Sequence, residues 1–227
     1  MTAILSNLQA VQQNIIEAAH QAKRESTSIM LLAVSKTFSA EAVREAYAAG
    51  QHAFGENYVQ EALDKIAALQ GLAIDWHFIG PIQSNKTKLL AEHFAWVHGV
   101  ERFKIAQRLS AQRPEHLPPL NICLQVNVSG EASKSGVAPE AVLDLAKQVA
   151  VLPGLKLRGL MAIPAPAVEE TAQRKPFSQL RELAQELKEN GIPLDTLSMG
   201  MSHDFAAAIR EGATIIRIGT AIFGTRN

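Results

Sequence analysis

Lys36 follows the apolar run Met30 to Ser35 and is in phase with Leu32 and Val34, so in a strand its side chain leaves the same face as theirs. A lone lysine at a loop start is most often a solvated surface residue. One that closes a buried strand, partly desolvated and near other cations, loses pKa and becomes a nucleophilic amine able to form a Schiff base with an aldehyde. Two further segments, Ser198-Met199-Gly200-Met201-Ser202 and Arg217-Ile218-Gly219-Thr220, carry the small and hydroxylated residues that suit a phosphate. Gly219 lets backbone N–H groups approach an anion closely, and Thr220 adds a hydroxyl donor. Ser202 has a competing structural use as N-cap of a helix starting near His203, with Asp204 in its first turn. Arg217 alternates with Ile216 and Ile218, and an arginine on an inner face is costly unless paired. It reads either as a structural ion pair or as a permanent cation beside a phosphate or a ring nitrogen.

An amine next to a phosphate site serves two chemistries. One is an aldolase-type lysine acting on phosphosugars; the other is a lysine that holds pyridoxal 5'-phosphate (PLP) as an internal aldimine. Arginine does not take up the ring proton of PLP, so Arg217 would leave the pyridine nitrogen unprotonated and weaken the cofactor as an electron sink. Asn57 and Glu56, in Gly55-Glu56-Asn57-Tyr58, are equally readable as caps of the following helix. His77 lies inside an apolar segment and reads first as a satisfied core histidine. The polar stretch Asn127, Ser129, Glu131, Lys134 and Ser135 faces either the same site or solvent. Neither HExxH nor CxxC occurs, and no serine nucleophile elbow is present, which argues against metal catalysis and against a serine hydrolase.

The elements that must position these residues are legible as short β-branched runs alternating with helical patterns. The runs are Met30 to Ser35, Ala53 to Gly55, Trp76 to Ile79, Trp96 to His98, Ile122 to Val128, Leu157 to Ile163, Thr196 to Met199 and Thr214 to Ile218. Between them, sets such as Val59, Ala62, Ile66 and Leu69, or Phe177, Leu180, Ala184 and Leu187, repeat on one helical face. Strands like MLLAV and ICLQVNV are continuously apolar, as in parallel sheets covered on both faces. An additional amphipathic helix, marked by Ile4, Leu8, Val11 and Ile15, precedes the first strand. The pattern predicts an α/β fold, a single (β/α)8 TIM barrel with an extra N-terminal helix, as one domain over 1–227; a miscounted unit would give an open doubly wound sheet. In such barrels functional side chains sit at the C-terminal strand ends, and phosphate binds after strands seven and eight.

Composition narrows the function class. Lys plus Arg (22) equals Asp plus Glu (22), so no global field recruits nucleic acid or an anionic membrane. The longest apolar run, Ile29 to Val34, falls far short of the about 20 residues of a membrane span. No signal peptide is read at the N-terminus. The single Cys123 forms neither an internal disulfide nor a thiolate metal site, as suits a reducing compartment. A cytoplasmic protein that handles small molecules is expected.

Seven segments, LLAVSKTF, FGENYVQEALDKI, WHFIGPIQSNK, SKSG, RGLMAIP, LSMGMS and RIGTAIFG, taken in order from Leu31 to Gly224, resemble the pyridoxal phosphate homeostasis protein family. The resemblance implies a barrel like the N-terminal domain of alanine racemase, PLP bound through the first-strand lysine, and no established catalytic activity. By it Lys36 is the aldimine lysine, and Asn57 and His77 lie beside the cofactor. Ser198 and Ser202 with Gly219 and Thr220 surround its phosphate, and Arg217 turns toward the pyridine nitrogen. It further implies a monomer active in vitamin B6 homeostasis and in the balance of amino- and keto-acid pools, with apo PLP enzymes as receivers. The sequence departs from the family at His203, where related sequences tend to carry a small or acidic residue. A PLP-dependent amino-acid racemase is the competing reading. Racemisation in this fold needs a second base, which in alanine racemase is a tyrosine from a C-terminal β domain. This chain ends at Asn227, right after the eighth unit, so that domain is expected to be absent, and of its tyrosines only Tyr58 lies in a motif near the mouth. A non-enzymatic carrier or regulator, with no catalytic residue and no metal, is therefore the expectation.

Overall fold

The computed structural model describes residues 2–130 and 135–225; Glu131 and Lys134 of the polar stretch lie outside them. Its strands are β1 Met30–Val34, β2 Ala53–Glu56, β3 Asp75–Phe78, β4 Trp96–Val100, β5 Leu120–Gln125, β6 Leu155–Met161, β7 Thr196–Ser198 and β8 Ile215–Ile218. All neighbours pair in parallel and the sheet closes, with Met30 opposite Ile215 and Ala33 opposite Ile218 where β8 returns to β1.

Side chains on each strand alternate between two apolar layers. Leu32, Val34, Ile79, Trp96, Cys123, Met161 and Ile215 fill the barrel, while Ala33, Phe54, Val97, Ile122, Leu160 and Ile216 pack outward beneath the helices. Polar residues share the inner phase, among them His77, His98, Ser198 and Arg217, all nearly or fully buried. Burial of this kind is worth about 1.5–3 kcal/mol per large aliphatic side chain, so the apolar members hold the barrel while the polar ones must find partners inside it.

The N-terminal helix Ala3–Gln21 buries Leu8, Val11, Ile15, Ala18 and Ala19. Asn7 Nδ2 donates to the Ile222 carbonyl at 3.0 Å, which ties this helix to the end of the chain. β4 runs on to Val100, past the expected His98, because its register against β5 shifts between Val97 and Val100. Gly99 sits in that irregularity, where a Cβ would come within 2.9 Å of the Gly80 carbonyl. β5 stops at Gln125, three residues before the expected Val128, and beyond it an isolated bridge joins Val126 to Val137. Among the described residues no helix is long and apolar enough to cross a membrane.

Candidate functional site

A cavity of about 230 Å³ opens at the C-terminal ends of the strands. Its walls include Val34 at the end of β1 and Lys36 after it, Asn57 after β2, Ile79 after β3, Ile163 after β6, Met201 to His203 after β7, and Arg217, Gly219 and Thr220 at β8. Of the residues singled out from sequence it thus brings together Lys36, Asn57, Ser202, Arg217, Gly219 and Thr220. Lys36 is half-buried and follows the inner phase of Leu32 and Val34. Gly219 lies so close to β1 that a Cβ would approach the Val34 carbonyl to 3.0 Å, which seats the β8 turn against the strand that carries the lysine. Asn57 Oδ1 is buried in this wall without a hydrogen-bond partner among the described residues, so the cavity holds an acceptor suited to a ligand hydroxyl.

His77, read first as a core histidine, and Ser198 both lie in the barrel interior. They are fully buried and absent from the cavity wall, forming with His98 a polar column inside the barrel. Arg217 donates from Nη1 to Ser198 Oγ at 2.9 Å and from Nη2 to the Ala162 carbonyl at 2.9 Å. Ser198 Oγ also shares a hydrogen bond with His98 Nδ1, 2.8 Å away. His98 Nε2 in turn shares a hydrogen bond with His77 Nδ1 at 3.0 Å. His77 stacks on Trp96 with ring centroids 5.2 Å apart, and its Nε2 makes no hydrogen bond among the described residues. Burial pushes His77 down to about 3 and His98 well below 6.5, the latter helped by His77 and Arg217, so both rings are neutral. Arg217 falls to about 10 through burial, opposed by Asp204, and remains a cation at neutral pH. It is held by neutral partners and not by a carboxylate, so the ion-pair reading of this residue is replaced by a hydrogen-bonded one.

The turn after β7 also differs from the sequence reading. The helix there is Phe205–Arg210 with Asp204 as N-cap, and Asp204 Oδ1 accepts the Met201 amide at 2.6 Å. Ser202 is therefore not the cap: the carboxylate closes the turn, moving the helix start two residues on and leaving the Ser202 hydroxyl at the cavity. Likewise Tyr58, not Glu56 or Asn57, is the N-cap of the helix Val59–Ala68, with no side-chain cap bond. Tyr58 is 56% exposed and is not part of the wall.

Sequence reasoning missed His98, Glu61 and Lys65. His98 was readable from its phase with Trp96. Lys65 stands on the buried stripe of its helix beside Ala62, and a charged residue in that stripe is the signal. A larger cavity of about 480 Å³ lies at the opposite end, between the N-terminal helix and the starts of β1, β2 and β3. Its wall contains Ile15, Ile16, Met30 and Gln51 but neither lysine nor arginine, so it offers no amine and no anion-binding cation. Of the two, the smaller cavity holds the amine and the arginine.

A family model described as alanine racemase, N-terminal domain, matches residues 6–227. The chain is 62% identical over 227 residues to the pyridoxal phosphate homeostasis protein of Pseudomonas aeruginosa, covering 100% of this chain and 97% of that one. The chain belongs to the pyridoxal phosphate homeostasis protein family. A similar solved structure is PipY of Synechococcus elongatus with PLP bound, at 40% identity and a TM-score of 0.81, covering 92% of this chain and 100% of that one. The homeostasis-family barrel is also similar to alanine racemase from Corynebacterium glutamicum, at 16% identity and a TM-score of 0.67, over 97% of this chain and 59% of that one. At that identity the likeness concerns the fold alone.

Proposed function

We propose that this chain is a PLP-binding protein of vitamin B6 homeostasis that holds the cofactor through a Schiff base on Lys36 and affects amino-acid and keto-acid balance without a reaction of its own. The observation that carries this reading is one cavity walled by an amine, two hydroxyls, a close backbone turn and a fixed cation. The chemistry PLP supplies when bound is an aldehyde that condenses with an amine with loss of water. Lys36 offers that amine. Ser202, Thr220 and the backbone at Gly219 receive the phosphate, and Asn57 Oδ1 accepts from the ring hydroxyl. Arg217 faces the pyridine nitrogen as a donor, which keeps a proton off that nitrogen. His77 and Ser198 act one layer below, by holding Arg217.

Relatives that carry the homeostasis name, and a PLP-bound structure at 40% identity, support binding over turnover. The racemase reading looks for a tyrosine as second proton carrier, and Tyr58 is exposed and outside the wall. In our reading the protein works as one barrel domain, a cytoplasmic monomer, and passes PLP to apo PLP enzymes. Mixing the loaded protein with such an apo enzyme is expected to restore that enzyme's activity. Deuterium exchange at the α-carbon of a panel of amino acids is expected to stay at the background of free PLP. Fast exchange with inversion, abolished by Lys36→Ala, would make the protein an enzyme and overturn the reading.

A further inference from the structure

An ion cluster outside the barrel grips the backbone on both sides of Lys36. Lys36 lines the cavity, while the neighbouring Ser35 side chain and Thr37 amide meet the cluster on the side of the helix Val59–Ala68. Lys65 on that helix is 5% exposed and donates from Nζ to the Ser35 carbonyl at 2.7 Å, to Glu56 Oε1 at 2.8 Å and to Glu61 Oε1 at 2.6 Å. Ser35 Oγ donates to the same Glu56 oxygen at 2.6 Å. On the other side, the Thr37 amide donates to Glu61 Oε1 at 2.5 Å. Thr37 has φ +68°, a left-handed conformation that a β-branched residue adopts only when its surroundings impose it.

We propose that Glu61 and Lys65 are positioning residues that fix the turn bearing Lys36, so that its amine meets an aldehyde ligand in one place. The geometry has few other uses. A buried lysine and a buried glutamate are expensive to desolvate, and here the cluster spends its hydrogen bonds on the two peptides flanking one inward lysine. Glu61 is the member that reaches Thr37, and its side chain is 31% exposed, so it can be replaced with little loss of core packing.

This inference rests on the PLP reading, and its test separates the two. Wild-type protein is first loaded with PLP and reduced with borohydride; a link away from Lys36 would sink the function reading itself. With Lys36 confirmed, Glu61→Ala is expected to slow Schiff-base formation by about ten-fold or more, because small misplacements of a reacting group carry losses of that order. Binding of pyridoxine 5'-phosphate, which has the phosphate and ring but no aldehyde, is expected to be unchanged. Glu61→Gln keeps an acceptor for the Thr37 amide and is expected to load at an intermediate rate. Wild-type loading rates in both variants would overturn the proposal, as would slowed loading accompanied by weaker pyridoxine 5'-phosphate binding, which would mean damage to the whole site. Should Glu61→Ala not fold, Glu61→Gln alone decides: slower loading at unchanged alcohol affinity supports the proposal, and unchanged loading overturns it.

Discussion

Two cations stand at the same mouth and are supported in opposite ways. The backbone around Lys36 is held from behind by charges, through Lys65, Glu56 and Glu61, while Lys36 itself lines the cavity. Arg217 is held from within by neutral groups, its guanidinium pinned to Ser198 and Ala162, with His98 and His77 behind them. A nucleophilic amine needs a fixed base, and tethering the flanking peptides provides one. A cation whose field is to reach a ligand is better bonded to neutral acceptors than neutralised by a directly paired carboxylate. The two supports also titrate in opposite senses. Burial raises the Glu56 carboxyl above its ordinary 4.5, against the pull of Lys65 and Ser35, whereas it lowers both histidines.

The largest effect is expected on the charged side. Lys65→Met strands Glu56 without its counterion in a buried position, and breaking such a pair costs about 3–5 kcal/mol. Urea unfolding of the PLP-free protein measures it; a loss under 1 kcal/mol would mean that the cluster behaves as a surface salt bridge.

Ser198→Ala tests the neutral side. It removes the acceptor of Arg217 and the hydrogen-bond partner of His98 at once, leaving buried groups unpaired at a cost of about 1–3 kcal/mol. PLP affinity is expected to fall as well, since the guanidinium is freed to turn. Equal PLP affinity in Ser198→Ala and wild type would show that Arg217 needs no support from below.

Next in size is the pH dependence. His77 drops from 6.5 to about 3 on folding, and His98 shifts in the same direction. In that window the unfolded chain binds protons that the folded chain refuses, so the stability is fully present above pH 6.5 and is lost as pH falls toward 3. Each histidine contributes a slope of up to about 1.4 kcal/mol per pH unit there. His98→Gln is expected to flatten the decline between pH 7 and pH 5. Glu56 acts oppositely, its contribution being full below 4.5 and declining as pH rises. An acid slope unaltered by His98→Gln would contradict the neutral-column description.

The strand phases made much of this legible. Lys36 was placed by counting in twos from Leu32, and Arg217 by its alternation with Ile216 and Ile218. What stayed hidden depended on contacts between distant segments. The continuation of β4 past His98 to Val100 is hidden because the shift after Val97 leaves no mark in a single strand's pattern. Ser202 looked like a cap because the Met201 amide to Asp204 bond, which moves the helix start, is not a periodicity. Lys65 is not legible because two of its partners, the Ser35 carbonyl after β1 and Glu56 of β2, lie outside its own helix.

The smallest expected effect lies at the phosphate end of the cavity. Thr220 is exposed and Ser202 half-buried, so water competes for both hydroxyls. Replacing either with alanine is expected to weaken PLP binding by about 0.5–1.5 kcal/mol and to leave binding of pyridoxal, which lacks the phosphate, unchanged. Equal losses for both ligands would mean that these hydroxyls serve the turns and not the ligand.

The central claim is that one amine, on the inner face after β1, carries the cofactor. Borohydride reduction of the PLP-loaded protein followed by peptide mapping tests it most directly. The account predicts a pyridoxyl group on the peptide containing Lys36, and its loss together with the visible absorbance band in Lys36→Ala. A pyridoxyl group found mainly on another lysine, with the band intact in Lys36→Ala, would contradict it.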